Sequence, residues 1–460
     1  MLRPVLQSAF AALAFLILLA SNAAGAMPRR EPPLLFGGPR APVRAPAPVD
    51  PRLPTGALRV GAPRPESRSG VYCSFTRPLC VHEQAQGAAV ALTTLGALET
   101  AYERLVLGMG LPEPKLDAGL AGSDALDIYL SDASADLSIE PDPQASGLFT
   151  QTSGFCEVPA WAPELLERAA SLCVGELIAL ALDASESPHL RRAFATSLWW
   201  LGGLPTAVDA QALDDVQAHP ELPIATRERS ASSEGSALFF TYLETARSTA
   251  GPGELSAALL SAAVSPRSPS ELHYVNEPDL FDVLRHSLQE DRARFAAMMV
   301  DFAVSRAFVG AREDGVHLPQ LAWSGTFGKV RFDWRLAFSS LPRRVAIQPP
   351  IDSTGAVLIW LDLDDVPIGA ALGVRAEWES PVSFQWQLVR VGARGEELGR
   401  VDIPFQERER SVEARVTNFD GAVAVLLVGT NLEGIEIAHP FDPDVAPFEP
   451  HGATLYLTQL

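Results

Sequence analysis

The hydrophobic period of this 460-residue chain changes once, near residues 315–330, and that change divides what it can fold into. Before it, apolar residues recur at steps of three and four, the spacing that lines one face of a helix. Ala91, Leu95, Leu98, Tyr102, Leu105 and Met109 form one such stripe, which Gly110 and Pro112 end. Leu166, Ala169, Cys173, Leu177 and Leu180 form a second, in a helix opened by Pro163 and running to about Asp183. Ser187-Pro188 supplies an N-cap and first turn for a third helix, with Leu190, Phe194, Leu198 and Leu201 inward and Gly202-Gly203 at its end. Further helices are expected over 234–247, 278–290 and 291–309, with one short strand at Leu126–Leu130 and loop over 133–160. After about Trp323 the period becomes two. Phe384, Trp386 and Leu388 alternate with Gln385 and Gln387, and Val412, Ala414 and Val416 alternate with Glu413 and Arg415. Ala356–Leu363, Ala422–Val428 and Thr454–Leu457 read as further strands, separated by turns such as Asp420-Gly421. The expected fold class is α+β: a mostly helical domain over 69–320, then an all-β sandwich domain over 325–460.

The first residues predict where the chain works. A weakly basic start (Met1-Leu2-Arg3), an apolar run over Ala9–Ala20 and the triplet Ala24-Gly25-Ala26 have the form of a cleaved signal peptide over 1–26. The run is 12 residues, against roughly 20 needed to span a bilayer. No later apolar stretch is long enough either, so the mature chain is expected to lack a transmembrane segment and to be secreted or periplasmic. Residues 27–68 carry eleven prolines and eight arginines against three acidic residues, a composition suited to an extended, disordered linker. The remainder is strongly acidic, and the net charge of −20 argues against nucleic acid and anionic membranes as partners. Weak attraction of the basic segment to the acidic remainder is expected at low salt.

An exported chain with four cysteines invites disulfides, although four allow three connectivities. Cys73 with Cys80 and Cys156 with Cys173 each close a short loop, and these local bridges are expected. A four-cysteine zinc site needs C-x2-4-C knuckles, which neither spacing provides.

Chemistry-bearing motifs are scarce. There is no G-x-S-x-G elbow, phosphate-binding glycine loop or dinucleotide fingerprint. His82-Glu83 is followed at the fourth position by Gln86, a poor zinc ligand, and His82 reads as part of the capping region of the next helix. No cofactor is expected; calcium is the metal that the clusters Asp362-Asp364-Asp365 and Asp442-Asp444 could hold, though turns produce the same letters. Glu176 stands apart. On a helical wheel it lies between Leu172 and Leu180, and a carboxylate on an apolar face must be paired or protonated. A helix terminus or an arginine such as Arg191 is the expected partner.

The order of parts resembles secreted bacterial zinc metallopeptidases of the H-E-x-x-H (zincin) type. The resemblance runs from ALETAYERLVLGMGLPEP through ALDIYLSD to Gly175-Glu176-Leu177-Ile178-Ala179, where the family carries its H-E-x-x-H helix. Trp199 to Ala207 is similar to the family's W-x-x-E-G-x-A-T segment, and 236–243 and 301–310 resemble later parts of the domain. The resemblance implies a zincin-like domain at 69–320 and places two histidine ligands at Gly175 and Ala179, a third ligand at Gly202 and the general base at Glu176. Glycine and alanine offer no donor atom, so the metal positions are lost and Glu176 is a vestigial base without activated water.

The function expected is therefore an exported pseudo-peptidase that binds a peptide or protein partner rather than cleaving it. One alternative is an active hydrolase with an unrecognised site, for which Asp124, Asp127, Glu176 and Asp183 are available. The other is a structural envelope protein.

Overall fold

The computed structural model describes residues 58–59, 63–65, 70–131, 136–142, 149–159, 163–226, 230, 232–266, 273–274, 276–379, 382–401, 403–406, 409–435 and 448–460. The signal peptide expected at 1–26, most of the linker, and Asp442 and Asp444 lie outside them. Helices dominate the first part of the chain and strands the second, so the α+β class holds.

The first part is built on a five-stranded sheet. Its strands are β2 (Gly70–Cys73), β3 (Leu79–Glu83), β4 (Leu126–Ser131), β5 (Ser138–Pro141) and β6 (Gly154–Pro159), in the order β2-β3-β4-β6-β5. Strands β3, β4 and β6 run parallel; β2 and β5 are antiparallel edges. β5 and β6 replace much of the loop expected over 133–160. A two-residue ribbon pairs β1 (Leu58–Arg59) with β7 (His273–Tyr274). Helix α1 (Ala88–Tyr102) buries Ala91, Leu95, Leu98 and Tyr102 as its stripe predicts, and continues as a π-helical turn over Glu103–Gly108. Gly110 then takes a positive φ of 72°, which ends the helix.

Helices α2 (Pro163–Leu182) and α3 (Pro188–Leu201) form the centre of this part. The Ser187 hydroxyl caps α3 by accepting from the Leu190 N–H, with Pro188 at the first helical position. Around them lie α4 (Ala207–Ala218), α5 (Ala237–Ala246), α6 (Glu254–Ala262), α7 (Leu280–Ser287) and α8 (Arg292–Arg306). Among the described residues, no helix is long and apolar enough to cross a membrane. Both disulfides form with the expected local partners, Cys73–Cys80 and Cys156–Cys173. The second ties β6 to α2 across a 17-residue separation, a closure of the size worth about 3 kcal/mol.

The second part holds two sheets. One orders β13 (Glu397–Val401), β12 (Phe384–Gly392), β15 (Ala422–Asn431), β10 (Ala356–Asp362) and β8 (Trp334–Ala337). The other orders β14 (Ser411–Val416), β11 (Leu372–Trp378), β16 (Ala453–Gln459) and β9 (Arg343–Ala346). Phe384, Trp386, Leu388, Ile359 and Leu427 of the first share one core with Leu372, Val374, Leu455 and Leu457 of the second. Period two explains the division: the alternate residues Leu358, Trp360, Val389, Leu426 and Val428 join a different core, with Val300, Ala303, Val304 and Phe308 of and just after α8. The larger sheet is thus covered on both faces, and α8 belongs to both parts of the molecule. Gln385 and Gln387 are buried too, their amides donating to the carbonyls of Ile403 (2.8 Å) and Val401 (2.5 Å).

A charged cluster closes the same junction. His317 stacks on Phe308 with ring centroids 4.1 Å apart, and its nitrogens lie 2.8 Å from Asp314 and 2.9 Å from Glu397. Arg400 joins Glu397 to Asp301, which also accepts from the Tyr242 hydroxyl of α5 at 2.8 Å. Burial disfavours the imidazolium, but Asp314 and Glu397 outweigh it and raise the His317 pKa from 6.5 to about 9. A raised pKa stabilises the fold fully below the unfolded value and progressively less as pH rises through the folded one. The His317 contribution should therefore be whole below about pH 6.5 and lost above about pH 9, an effect of about 3 kcal/mol. Urea unfolding of wild type and His317→Gln across this range should show a stability gap that narrows as pH rises; a constant gap would contradict the assignment.

Candidate functional site

Glu176 lies mid-helix on α2 with its side chain fully buried, as its place on the apolar wheel requires. Its partner is Arg192 rather than Arg191: Arg192 Nε lies 2.6 Å from Glu176 Oε1. Arg191 instead donates to the carbonyls of Ala184 (2.9 Å) and Glu186 (2.7 Å), holding the turn between α2 and α3. Both arginines sit in the first turns of α3, and only the helix crossing decides which one reaches Glu176.

That crossing depends on Gly175. A Cβ there would stand 2.9 Å from Ala195 Cβ and 3.1 Å from Ala195 Cα, inside van der Waals contact. The first position that the resemblance gives to a histidine is therefore the contact point of two helices. Ala179, the second, is fully buried in the same core. Gly202, the third, is the C-cap of α3, its N–H donating to Leu198 O. Among the described residues, no group of three His, Cys, Asp or Glu side chains is placed to hold a metal ion.

The Glu176–Arg192 pair opens a longer ionic chain. Arg192 also donates to the Leu137 carbonyl (3.0 Å) and lies 3.6 Å from Glu234, which pairs with Arg168 at 2.6 Å. Arg168 reaches Asp209 at 3.0 Å, and Asp209 accepts from both indoles, Trp199 (2.9 Å) and Trp200 (3.0 Å). Burial opposes charge on Asp209, but Arg168 and these donors hold its carboxyl below the usual range. Asp209 carries a sequence signal of its own: Thr206-x-x-Asp209 is a capping box, and the structure forms it at the start of α4. The arrangement is a closed ionic joint. Its carboxylates are paired in place by Arg192 and Arg168.

The other candidate carboxylates bind elsewhere. Asp124 is exposed on a turn. Asp183 is buried and accepts from the Ser185 hydroxyl at 2.6 Å; burial raises its pKa to about 6. Asp127 is buried on β4, 2.7 Å from His82 Nε2. His82 itself is a buried residue of β3, stacked on Tyr129, and not part of a helix cap; Glu83 takes that task, accepting from the Gly87 N–H at 2.6 Å. Asp362 accepts from Arg335 (3.0 and 3.1 Å) and from the Trp360 indole (2.7 Å), so both its oxygens are engaged, while Asp364 and Asp365 are exposed.

A cavity of about 340 Å³ opens beside α4 and α5, lined by Val216, Leu222, Ile224, Leu238, Phe302 and Ser236. Behind it, His189 Nε2 lies 2.9 Å from Ser236 Oγ and 3.2 Å from the Ile224 carbonyl. Its Nδ1 faces hydroxyls of Thr226 (2.8 Å) and Ser233 (3.0 Å). The Ser233 hydroxyl can donate or accept while accepting from the Ser230 N–H at 2.8 Å, but the Ile224 carbonyl at Nε2 can only accept. The ring hydrogen is then on Nε2 and donated to Ile224, the wrong tautomer for taking a proton from Ser236. Burial also pushes the His189 pKa down to about 4, which keeps the ring neutral. Among the described residues, hydroxyls rather than a carboxylate orient this histidine, so these residues do not supply the acid of a hydrolytic triad.

No family model and no curated protein matches the chain. Among solved structures it is similar, over 28% of its length and 97% of the other chain, to the pre-peptidase C-terminal domain of collagenase from Bacillus anthracis. Identity is 9% and the TM-score 0.18, too faint a likeness to assign fold or function.

Three variants test the joint. Glu176→Ala strands Arg192 in the interior and should cost about 3–5 kcal/mol, whereas Glu176→Leu with Arg192→Met should cost much less. Gly175→Ala should cost about 1–3 kcal/mol through overpacking at Ala195. Equilibrium unfolding in urea measures all three, and a neutral Glu176→Ala would refute the pairing.

Proposed function

We propose that the chain is an exported, non-catalytic relative of zincin metallopeptidases that serves as a peptide- or protein-binding module. In this reading the helical part is a zincin-like domain and the two facing sheets are a β-sandwich that follows it. The observation that carries the proposal is the state of Glu176. The side chain at the position of the general base is spent on Arg192, and the flanking ligand position is filled by the Ala195 contact. A base so engaged cannot accept a proton from water without breaking a buried ion pair. Export is supported by the two disulfides, which persist in oxidising compartments. Binding is supported by the apolar-lined cavity beside α5, of a volume suited to a side chain of a bound peptide.

The test is incubation of the purified chain with a complex peptide mixture, with and without added zinc, read by mass spectrometry. No cleavage above background is expected under either condition, and Glu176→Gln should behave as wild type does. Zinc-dependent cleavage that Glu176→Gln abolishes would overturn the proposal. Zinc-independent cleavage abolished by Ser236→Ala would instead establish the hydrolase alternative at the His189 cavity.

A further inference from the structure

The end of the first sheet where the parallel strands β4 and β6 begin holds a second ionic site, unconnected to Glu176. Three aspartates converge there: Asp127 on β4, Asp142 immediately after β5, and Asp117 in the turn before β4. Asp127 and Asp142 are fully buried, and the Asp117 side chain is 1% exposed. Their occupant is the guanidinium of Arg64, which arrives from the proline- and arginine-rich N-terminal segment.

The contacts use the whole arginine head. Asp142 is gripped along one edge, Nε to Oδ1 and Nη2 to Oδ2, both at 2.7 Å. Nη1 turns the other way, to Asp127 and to Asp117 Oδ2 at 2.5 Å, the latter an ion pair without the alignment of a hydrogen bond. The Phe155 ring stands 5.7 Å from Cζ, and Tyr129 closes the side next to His82. A planar fork of five N–H donors suits this arrangement, and an ammonium does not. A staple for a chain terminus needs one carboxylate. Three buried ones meet this guanidinium, Asp127 lying also 2.7 Å from His82 Nε2, and buried carboxylates are costly to leave without a partner. The segment bearing Arg64 is otherwise held, among the described residues, by the two-residue pairing of β1 with β7.

We propose that this pocket is an arginine receptor, occupied in cis by Arg64 and open in trans to an arginine side chain of a peptide partner. Displacement exchanges one guanidinium for another, so the buried carboxylates are never exposed without a cation. The tether gives Arg64 an effective concentration in the millimolar range, which a competing ligand must exceed. Arg64 is thereby a plug that a partner's guanidinium releases. The inference names a ligand class that the proposed binding function lacks, but it stands without that reading, since neither Glu176 nor zincin ancestry enters it.

The experiment is calorimetric titration of the full chain and its Arg64→Ala variant with N-acetyl-arginine amide and N-acetyl-lysine amide at matched ionic strength. Arg64→Ala should bind one arginine probe, about tenfold more tightly than the lysine probe. Wild type should bind it at least about tenfold more weakly than the variant does, because Arg64 competes. Adding Asp142→Asn to Arg64→Ala should abolish binding. A folded Arg64→Ala that ignores the arginine probe, takes both probes equally, or binds no better than wild type overturns the proposal. Should Arg64→Ala fail to fold, Arg64→Lys keeps a cation in place. It must then bind the arginine probe more tightly than wild type, and equal binding overturns the proposal in the same way.

Discussion

The buried ion pair between Glu176 and Arg192 is the constraint around which the helical part is arranged. Two charges removed from water are costly unless each is satisfied, so the helices that carry them must meet in one register. Gly175 permits that meeting by letting α2 approach the Ala195 backbone of α3. From Arg192 the chain of charges runs through Glu234 and Arg168 to Asp209, and so reaches α4 and the Trp199 and Trp200 indoles. The Leu137 carbonyl ties the same arginine to the segment before β5. Packing of apolar residues would tolerate several helix arrangements; this set of partners tolerates one.

The same device recurs elsewhere in the molecule. Arg64 fills the pocket of Asp117, Asp127 and Asp142, and Arg400 joins Asp301 to Glu397 where α8 meets the sheets. The chain carries only two lysines, and its arginine bias acquires a structural use. A planar guanidinium that bridges two carboxylates can be buried at less cost than an ammonium. In an acidic protein, arginines placed in this way convert self-repulsion into joints between elements.

Much of this architecture was legible in the sequence because the signals were local. The Ser187-Pro188 cap, the Gly110 stop, the stripes of α1 to α3 and the period-two strands each follow from a few neighbouring residues. Other elements escaped for physical reasons. Strands β5 and β6 lie among aspartate, serine and proline, which read as turns. Helix α4 buries Asp209, Ala210, Ala212, Leu213 and Gln217, a face with one large apolar residue and so no stripe to read. His82 carries no strand signal in the sequence because β3, buried on both faces, shows no alternation. For Glu176 the need for a partner was readable and its identity was not. Arg191 and Arg192 are adjacent in sequence, and only tertiary geometry turns one to the carboxylate and the other to the α2–α3 turn. The convergence of Arg64 with three aspartates spans 78 residues between Arg64 and Asp142 and left no local trace.

All of this describes a joint where the resemblance would put a metal centre, and metal content decides between the two. Elemental analysis of the purified chain after mild dialysis should find far less than one zinc per chain. One tightly held zinc per chain would contradict the account, because it would require ligands other than the positions at Gly175, Ala179 and Gly202 and a Glu176 released from Arg192.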